Sequence, residues 1–368
     1  MSAASGGNEA NKSASSTDIL KLTAYFAERE RAGGKFLAEA LLDLFADRGV
    51  ATSVMLRGIA SFGPRNIVRS DESLSLSEDP PVTLSATDRP EVITALVDDV
   101  TALTGRGLIT LERGRLASGA AAGAGNEATR MTVYLGRRQR AAGAPAYRTV
   151  TEVFHRLGFA GATVFLGVDG TVNGERRRAG FLSHNPDVPM FAVGVGTPDQ
   201  AAAAGQELSR LLPDHLLTVE RTRVVKRDGT VLADLHELPT TDPDGLTLFQ
   251  KLTVYTFEDS RHDGHPIHRQ LVRRLRESQH AAGATVLRGL WGYHGDHRPK
   301  GDRLLHIGRR VPVSTVIIDT PENIVRSFAI VDELTGRHGL VTSEIVPAMI
   351  ALDGDYRNGG TRLANPPG

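Results

Sequence analysis

The sequence predicts an α+β protein made of three tandem ferredoxin-like units, β-α-β-β-α-β each, packed as an intramolecular pseudo-trimer. Three observations predict it: a segment of roughly one hundred residues recurs three times, each copy repeats one order of strand and helix signals, and each second strand is apolar on both faces.

The recurrence rests on landmarks. The apolar-alternating runs Leu22-Thr23-Ala24-Tyr25, Met131-Thr132-Val133-Tyr134 and Leu252-Thr253-Val254-Tyr255 open the copies. Gly34, Gly143 and Gly264 each stand nine residues after the tyrosine, and Gly58, Gly167 and Gly289 stand 33, 33 and 34 after it. Pro81, Pro189 and Pro312 follow, then Pro90, Pro198 and Pro321 nine residues later each time, then Glu112, Glu220 and Glu344. The copies span 19–116, 129–225 and 249–349. Linkers fill 117–128 (Ala/Gly-rich) and 226–248, a disordered tail fills 1–18, and a second tail fills 350–368.

Each element has a local reason. The opening run alternates with period two and reads as a strand. An amphipathic helix follows in each copy, carrying Leu37, Leu41, Leu44 and Phe45; Tyr147, Val150, Phe154 and Leu157; and Ile267, Leu271 and Leu275. Pro145 and Pro266 sit where the helices of copies two and three begin. The second strands (Ser53 to Leu56, Thr163 to Leu166, Thr285 to Leu287) need cover on both faces, which predicts that the three sheets pack on one another. A third strand comes after the landmark proline. Thr197-Pro198-Asp199 and Thr320-Pro321-Glu322 then place a cap, a first-turn proline and an acid at the positive helix end, whereas Arg89-Pro90-Glu91 caps weakly. A last strand closes each copy.

Composition narrows the function. Of 368 residues, 43 are Lys or Arg and 43 Asp or Glu, so no global field draws nucleic acid or an anionic membrane. There is no cysteine, which removes disulfides, thiolate metal sites and thiol nucleophiles and suits a cytoplasmic location. No apolar run reaches the roughly 18 residues that span a bilayer, so no membrane insertion is expected. No Gly-x-Ser-x-Gly elbow, His-Glu-x-x-His helix or paired-carboxylate motif is present, and a non-enzymatic protein with no required cofactor is expected.

Leu22-Thr23-Ala24-Tyr25, Gly33-Gly34-Lys35, Leu56-Arg57-Gly58-Ile59, Phe62-Gly63 and Leu76-Ser77-Glu78-Asp79-Pro80-Pro81-Val82 together resemble the domain-of-unknown-function family 190 (DUF190), within the PII-like group of trimeric signalling proteins. Copy three matches through Leu287-Arg288-Gly289, Trp291-Gly292 and Val311-Pro312-Val313. Copy two departs most, with Leu166 in place of the arginine and no Gly-Gly-Lys. The resemblance implies a trimer fused into one chain, a monomer in solution, with a small anionic effector, often an adenine nucleotide, held in clefts between copies. It also implies that the long loops 58–73, 167–183 and 289–305 engage a partner, commonly a membrane transporter or an ion channel.

The ligand candidates follow from position and chemistry. Arg57-Gly58 and Arg288-Gly289 end apolar strands, where arginine offers forked donors to phosphate or carboxylate and glycine admits the ligand. They could equally be surface arginines or salt bridges between copies. Phe62 and Gly63 lie in the first loop. Gly33-Gly34-Lys35 precedes a helix and could hold an anion, or be a turn needing positive φ; it lacks a Walker A spacing. Gly105-Arg106-Gly107 and Gly336-Arg337-His338-Gly339 offer helix-terminating glycines and phosphate-candidate arginines. Arg176-Arg177-Arg178 is a basic run that reads either as a solvated loop or as a contact for an acidic surface. Eight of the twelve histidines fall in copy three, and His262, His265, His294 and His297 offer a metal-binding alternative. The remaining alternative is a structural scaffold whose ligand clefts have decayed.

Overall fold

The computed structural model describes residues 17–63, 68–70, 79–117, 127–178, 188–235, 238–295, 297–301 and 311–365. Residues 1–16 of the proposed tail, most of the linker 117–128 and parts of the three long loops (64–67 and 71–73, 179–183, 296 and 302–305) lie outside these residues, while Asp18 of that tail opens the first strand.

Twelve principal strands, four per repeat, are numbered in chain order. Repeat one supplies β1 (Asp18–Ala27), β2 (Thr52–Phe62), β3 (Pro81–Asp88) and β4 (Arg106–Leu116). Repeat two supplies β5 (Ala128–Gly136), β6 (Gly161–Leu166), β7 (Pro189–Gly196) and β8 (Leu217–Arg227). Repeat three supplies β9 (Phe249–Phe257), β10 (Ala284–Arg288), β11 (Pro312–Asp319) and β12 (Leu340–Val346). The helices are α1 (Leu37–Asp47), α2 (Pro90–Leu103), α3 (Ala146–Arg156), α4 (Pro198–Leu211), α5 (Ile267–Ser278) and α6 (Pro321–Leu334). Thr197 caps α4 in a complete capping box with Gln200, and Thr320 accepts from Asn323 N at the start of α6. Arg89 gives α2 no side-chain cap.

The expectation of three ferredoxin-like domains packed sheet against sheet as a pseudo-trimer is overturned. The strands join edge to edge into a nine-strand closed antiparallel barrel with extra strands, and the described residues are 47% strand and 25% helix. The ring runs β1-β3-β2-β10-β11-β9-β12-β8-β4 and back to β1. Strands β5, β7 and β6 extend from β8. The physical reason lies at the edges. A four-stranded sheet leaves two rows of unpaired backbone groups, and apolar periodicity reports faces without reporting where edge hydrogen bonds go.

Each edge is closed by a neighbour in cyclic order. Past β2's middle, Gly58 to Phe62 pairs with β10. The short strand Asp169–Val172, following β6, pairs with Thr52 to Met55 of β2. The strand Trp291–His294, following β10, pairs with β6. Last strands are exchanged likewise: the end of β8 pairs with β12. The strand Ala348–Asp353, following β12, pairs with β4 from Ala348↔Leu111 to Asp353↔Arg106. That strand turns into a second arm, Tyr356–Gly360, so the segment read as a tail is largely a hairpin. The apolar cores are shared in the same way. The core of repeat one, around Leu22, Leu41, Phe45 and Leu84, includes Ala348, Ile350 and Leu352; that of repeat three includes Ile59, Ala60 and Phe62.

Gly167 and Gly289, which follow β6 and β10, and their counterpart Gly58 within β2 explain why these seams can close. A Cβ on Gly58 would lie 2.9 Å from the Val286 carbonyl oxygen, one on Gly167 2.8 Å from Val54 Cγ1, and one on Gly289 2.7 Å from Thr163 Cγ2. Each of those contacts is in another repeat, and Pro81, Pro189 and Pro312 of the same repeat stand at 2.8, 2.6 and 2.9 Å, so the three-times-repeated glycine answers close approach both between repeats and within each.

Candidate functional site

Two places concentrate polar chemistry: the barrel interior and the seam between repeats one and three. Inside, a cavity of about 80 Å³ is lined by Lys21, Arg130, Lys251 and Glu112, and Glu344 stands beside it against Arg130 and Lys251. Glu220 completes a set of three cations and three carboxylates, one of each from every repeat. Each cation stands four residues before a landmark tyrosine. Lys21 Nζ lies 2.9 Å from Glu220 and 3.3 Å from Glu112. Lys251 pairs with Glu112 and, at 2.9 Å, with Glu344. Arg130 Nη1 lies 3.3 Å from Glu220 and 3.8 Å from Glu344. Thr222 Oγ1 donates to Glu344 at 2.9 Å.

Burial pushes the Glu112 carboxyl up, but Lys21, Lys251 and Arg130 outweigh it and hold the group well below the usual carboxylate range. Burial likewise raises Glu344, and Lys251 with Arg130 bring it net down. For Lys251, burial lowers the ammonium and Glu112 with Glu344 raise it well above its ordinary value. Burial pushes the Tyr255 phenol up to about 12, and raises Tyr25 and Tyr134 further. With charges balanced three against three and compensated in place, this cluster is built to be buried.

The seam between repeats one and three holds the larger cavity, about 250 Å³. Its walls are mainly apolar, with Phe62, Phe249 and Met349, and its charged groups are Arg69, Arg106, Glu30, Asp319 and Asp353. Arg106 sits at the first residue of β4. Its Nε donates to Asp353 Oδ1 at 2.7 Å and its Nη1 to Glu30 Oε1 at 3.3 Å. The bond to Asp353 is the main cause raising the guanidinium above its ordinary value.

Of the ligand candidates, Phe62, Gly63 and Arg106 line this cleft. Gly105 borders it, its carbonyl accepting from Gly354 N of the C-terminal hairpin at 3.0 Å. The others do not line it. Arg57 Nε donates to Glu28 at 2.6 Å, and Arg288 Nη2 donates to the equivalent Glu258 at 2.6 Å, so both base-of-loop arginines are paired within their own repeat. Gly58 and Gly289 are the close-approach glycines of the seams. Gly33 and Gly34, with φ of 54° and 88°, form the tip of a small hairpin, and Lys35 pairs with Asp43 at 3.1 Å. Arg337 is exposed.

The other seams are occupied by protein. Between repeats one and two, Thr171 Oγ1 donates to Ser53 Oγ at 3.0 Å, and Arg176 of the basic run is bound by Asp169 and by Asp43 of α1. Between repeats two and three, buried Tyr293 and His294 fill the gap beside Asp228, whose carboxyl is lowered chiefly by His294. His262 and His265 face one another across a two-residue-a-side hairpin, while His294 and His297 have ring centroids 6.0 Å apart. Among the described residues no group of three or more metal-capable side chains converges.

Sequence reasoning missed Glu30, Arg69 and Asp353 in the cleft, and Lys21, Arg130 and Lys251 inside the barrel. The signals were present: Asp353-Gly354 after the apolar run Met349 to Leu352 marks a hairpin, and a cation recurs inside each opening strand.

The DUF190 family (Uncharacterized ACR) matches the chain at residues 19–116, 128–224 and 249–348, about four-fifths of its length. The chain belongs to this family, as three tandem copies. A relative, the UPF0166 protein of Aquifex aeolicus, is 34% identical over 96 residues, which cover 26% of this chain and 88% of that protein, so it is about one repeat long. Among solved structures, an unknown protein from Galdieria sulphuraria is 10% identical with a TM-score of 0.17, covering 56% of this chain and 98% of its own. An anthrone oxidase-like protein is 13% identical with a TM-score of 0.18, covering 65% of this chain and 96% of its own. Likenesses this slight bear on neither fold nor function. No helix among the described residues is long and apolar enough to cross a membrane.

Proposed function

We propose that the protein is a non-enzymatic, PII-like regulator that takes a small anionic effector, an adenine nucleotide being the leading class, in the cleft between repeats one and three. The observation that carries this reading is the 250 Å³ seam cavity, where Arg106 and Arg69 stand beside apolar walls that suit a flat organic body. Binding there would bias the loop following β2, which borders the cleft through Phe62 and Gly63, and so change affinity for a partner, a membrane transporter or ion channel, in the cytoplasm. Calorimetry of the full chain against ATP, ADP, AMP and cyclic nucleotides tests it. Saturable binding to any, lost in Arg106→Gln, supports the reading; no heat from all of them at millimolar concentration overturns the nucleotide version.

The scaffold reading is favoured at the other two seams, where Thr171, Tyr293 and His294 are buried in contacts between repeats. One working cleft on a largely structural barrel reconciles the two.

A further inference from the structure

The arginine that faces the cleft already holds two carboxylates. Among its charged lining groups, Arg69 and Arg106 stand against Glu30, Asp319 and Asp353. Asp319 is committed elsewhere: it accepts from Ala282 N at 2.7 Å, Thr320 N at 2.7 Å and Asn323 Nδ2 at 2.9 Å. Glu30 and Asp353 share Arg106. An oxyanion entering as things stand meets more negative than positive charge, so one carboxylate must give way for it to gain from Arg106.

Asp353 is the one placed to do so. It is the last residue of its strand to pair with β4, opposite Arg106 itself, and the hairpin turns immediately after it. The second arm, Tyr356–Gly360, is exposed throughout. The Asp353 side chain can therefore rotate off the guanidinium while the pairs from Ala348↔Leu111 to Leu352↔Gly107 stay made.

We propose that Asp353 is a built-in competitor of the effector: its carboxylate occupies Arg106 in the empty protein, and the anionic end of the ligand replaces it there. The inference rests on the effector reading of this cleft and adds the ligand class, a carboxylate or phosphate joined to an apolar body that lies against Phe62, Phe249 and Met349. It also makes the C-terminal hairpin the element that reports occupancy, because a displaced Asp353 loosens the turn next to Tyr356.

The test is calorimetry at fixed ionic strength on the full chain, with AMP as probe and inorganic phosphate as the arm lacking an apolar body. The variants are Asp353→Asn, Asp353→Asn/Glu30→Gln and Asp353→Asn/Arg106→Gln, with thermal melts showing that each folds. Asp353→Asn should bind AMP at least tenfold tighter than the wild type, the Glu30→Gln addition tighter again, and the Arg106→Gln addition should abolish the gain. A gain for phosphate as well would show that the anionic end alone displaces Asp353. Wild-type binding of AMP with an equal or weaker affinity in Asp353→Asn overturns the competitor and leaves the effector reading intact. Absence of binding to wild type and all variants overturns both.

Discussion

Lys251 and Glu112, 139 residues apart and in different repeats, form a buried ion pair inside the barrel, each no more than 5% exposed. The pair ties the opening strand of repeat three to the closing strand of repeat one, and its counterparts do the same around the ring. Pairing of this kind stabilises little in itself, because desolvation opposes the Coulomb attraction, but losing one partner strands a charge.

Glu112→Gln should therefore destabilise the protein by about 3–5 kcal/mol, leaving Lys21 and Lys251 short of a counter-charge. The Lys21→Met/Glu220→Leu double change should cost less than the sum of the single changes. Urea denaturation of the wild type and the four variants reads both values.

Stability should be flat through neutral pH and fall at both extremes. The carboxyls of Glu112 and Glu344 are depressed in the fold, so their contribution is full above their ordinary 4.5 and is lost as pH falls toward the folded values. Tyr255 is raised from 10.0 to about 12, so the fold, which keeps it protonated, loses stability as pH rises between those values. Chemical denaturation at a series of pH values checks the shape; a stability that rose on acidification below pH 4.5 would contradict it.

Gly58→Ala and Gly289→Ala should each cost about 1–3 kcal/mol by forcing the second strand away from its neighbour. The contacts at 2.9 Å and 2.7 Å are to backbone and to a buried strand residue, which cannot swing aside. Hydrogen exchange should show faster opening at β2–β10 for Gly58→Ala and at Thr163 for Gly289→Ala.

Arg57→Ala should change stability by under about 1 kcal/mol and leave the proposed effector binding as it was, since its side chain is 58% exposed, pairs with Glu28 of its own repeat and does not line the cleft. Calorimetry beside Arg106→Gln separates the two arginines, which the sequence alone presented as equals.

The triplication, the order of elements in each copy and the caps of α4 and α6 were legible because they depend on spacing and on residues adjacent in the chain. The closed barrel was not, since it is made by backbone bonds between edges, and a backbone carries no sequence signature. Phe62, Gly63 and Arg106 were found by position in the repeat. Asp353 was not, because its partner Arg106 is nearly 250 residues away and it sits in a segment outside the repeat; the hairpin whose first arm it ends is specified by one Gly-Asp turn, Gly354-Asp355. Arg57 and Arg288 looked like anion receptors because the glutamates that hold them stand 29 and 30 residues upstream.

Covalent linkage of the three copies changes what mutation can do to the seams. In an assembly of identical subunits a substitution is written three times at once, and every junction gains or suffers alike. Here Arg130 stands where its counterparts are lysines, Tyr293 is buried at one junction and Thr171 at another, and Phe62 lines a cavity at the third. A single gene for the whole ring lets each junction change without the other two.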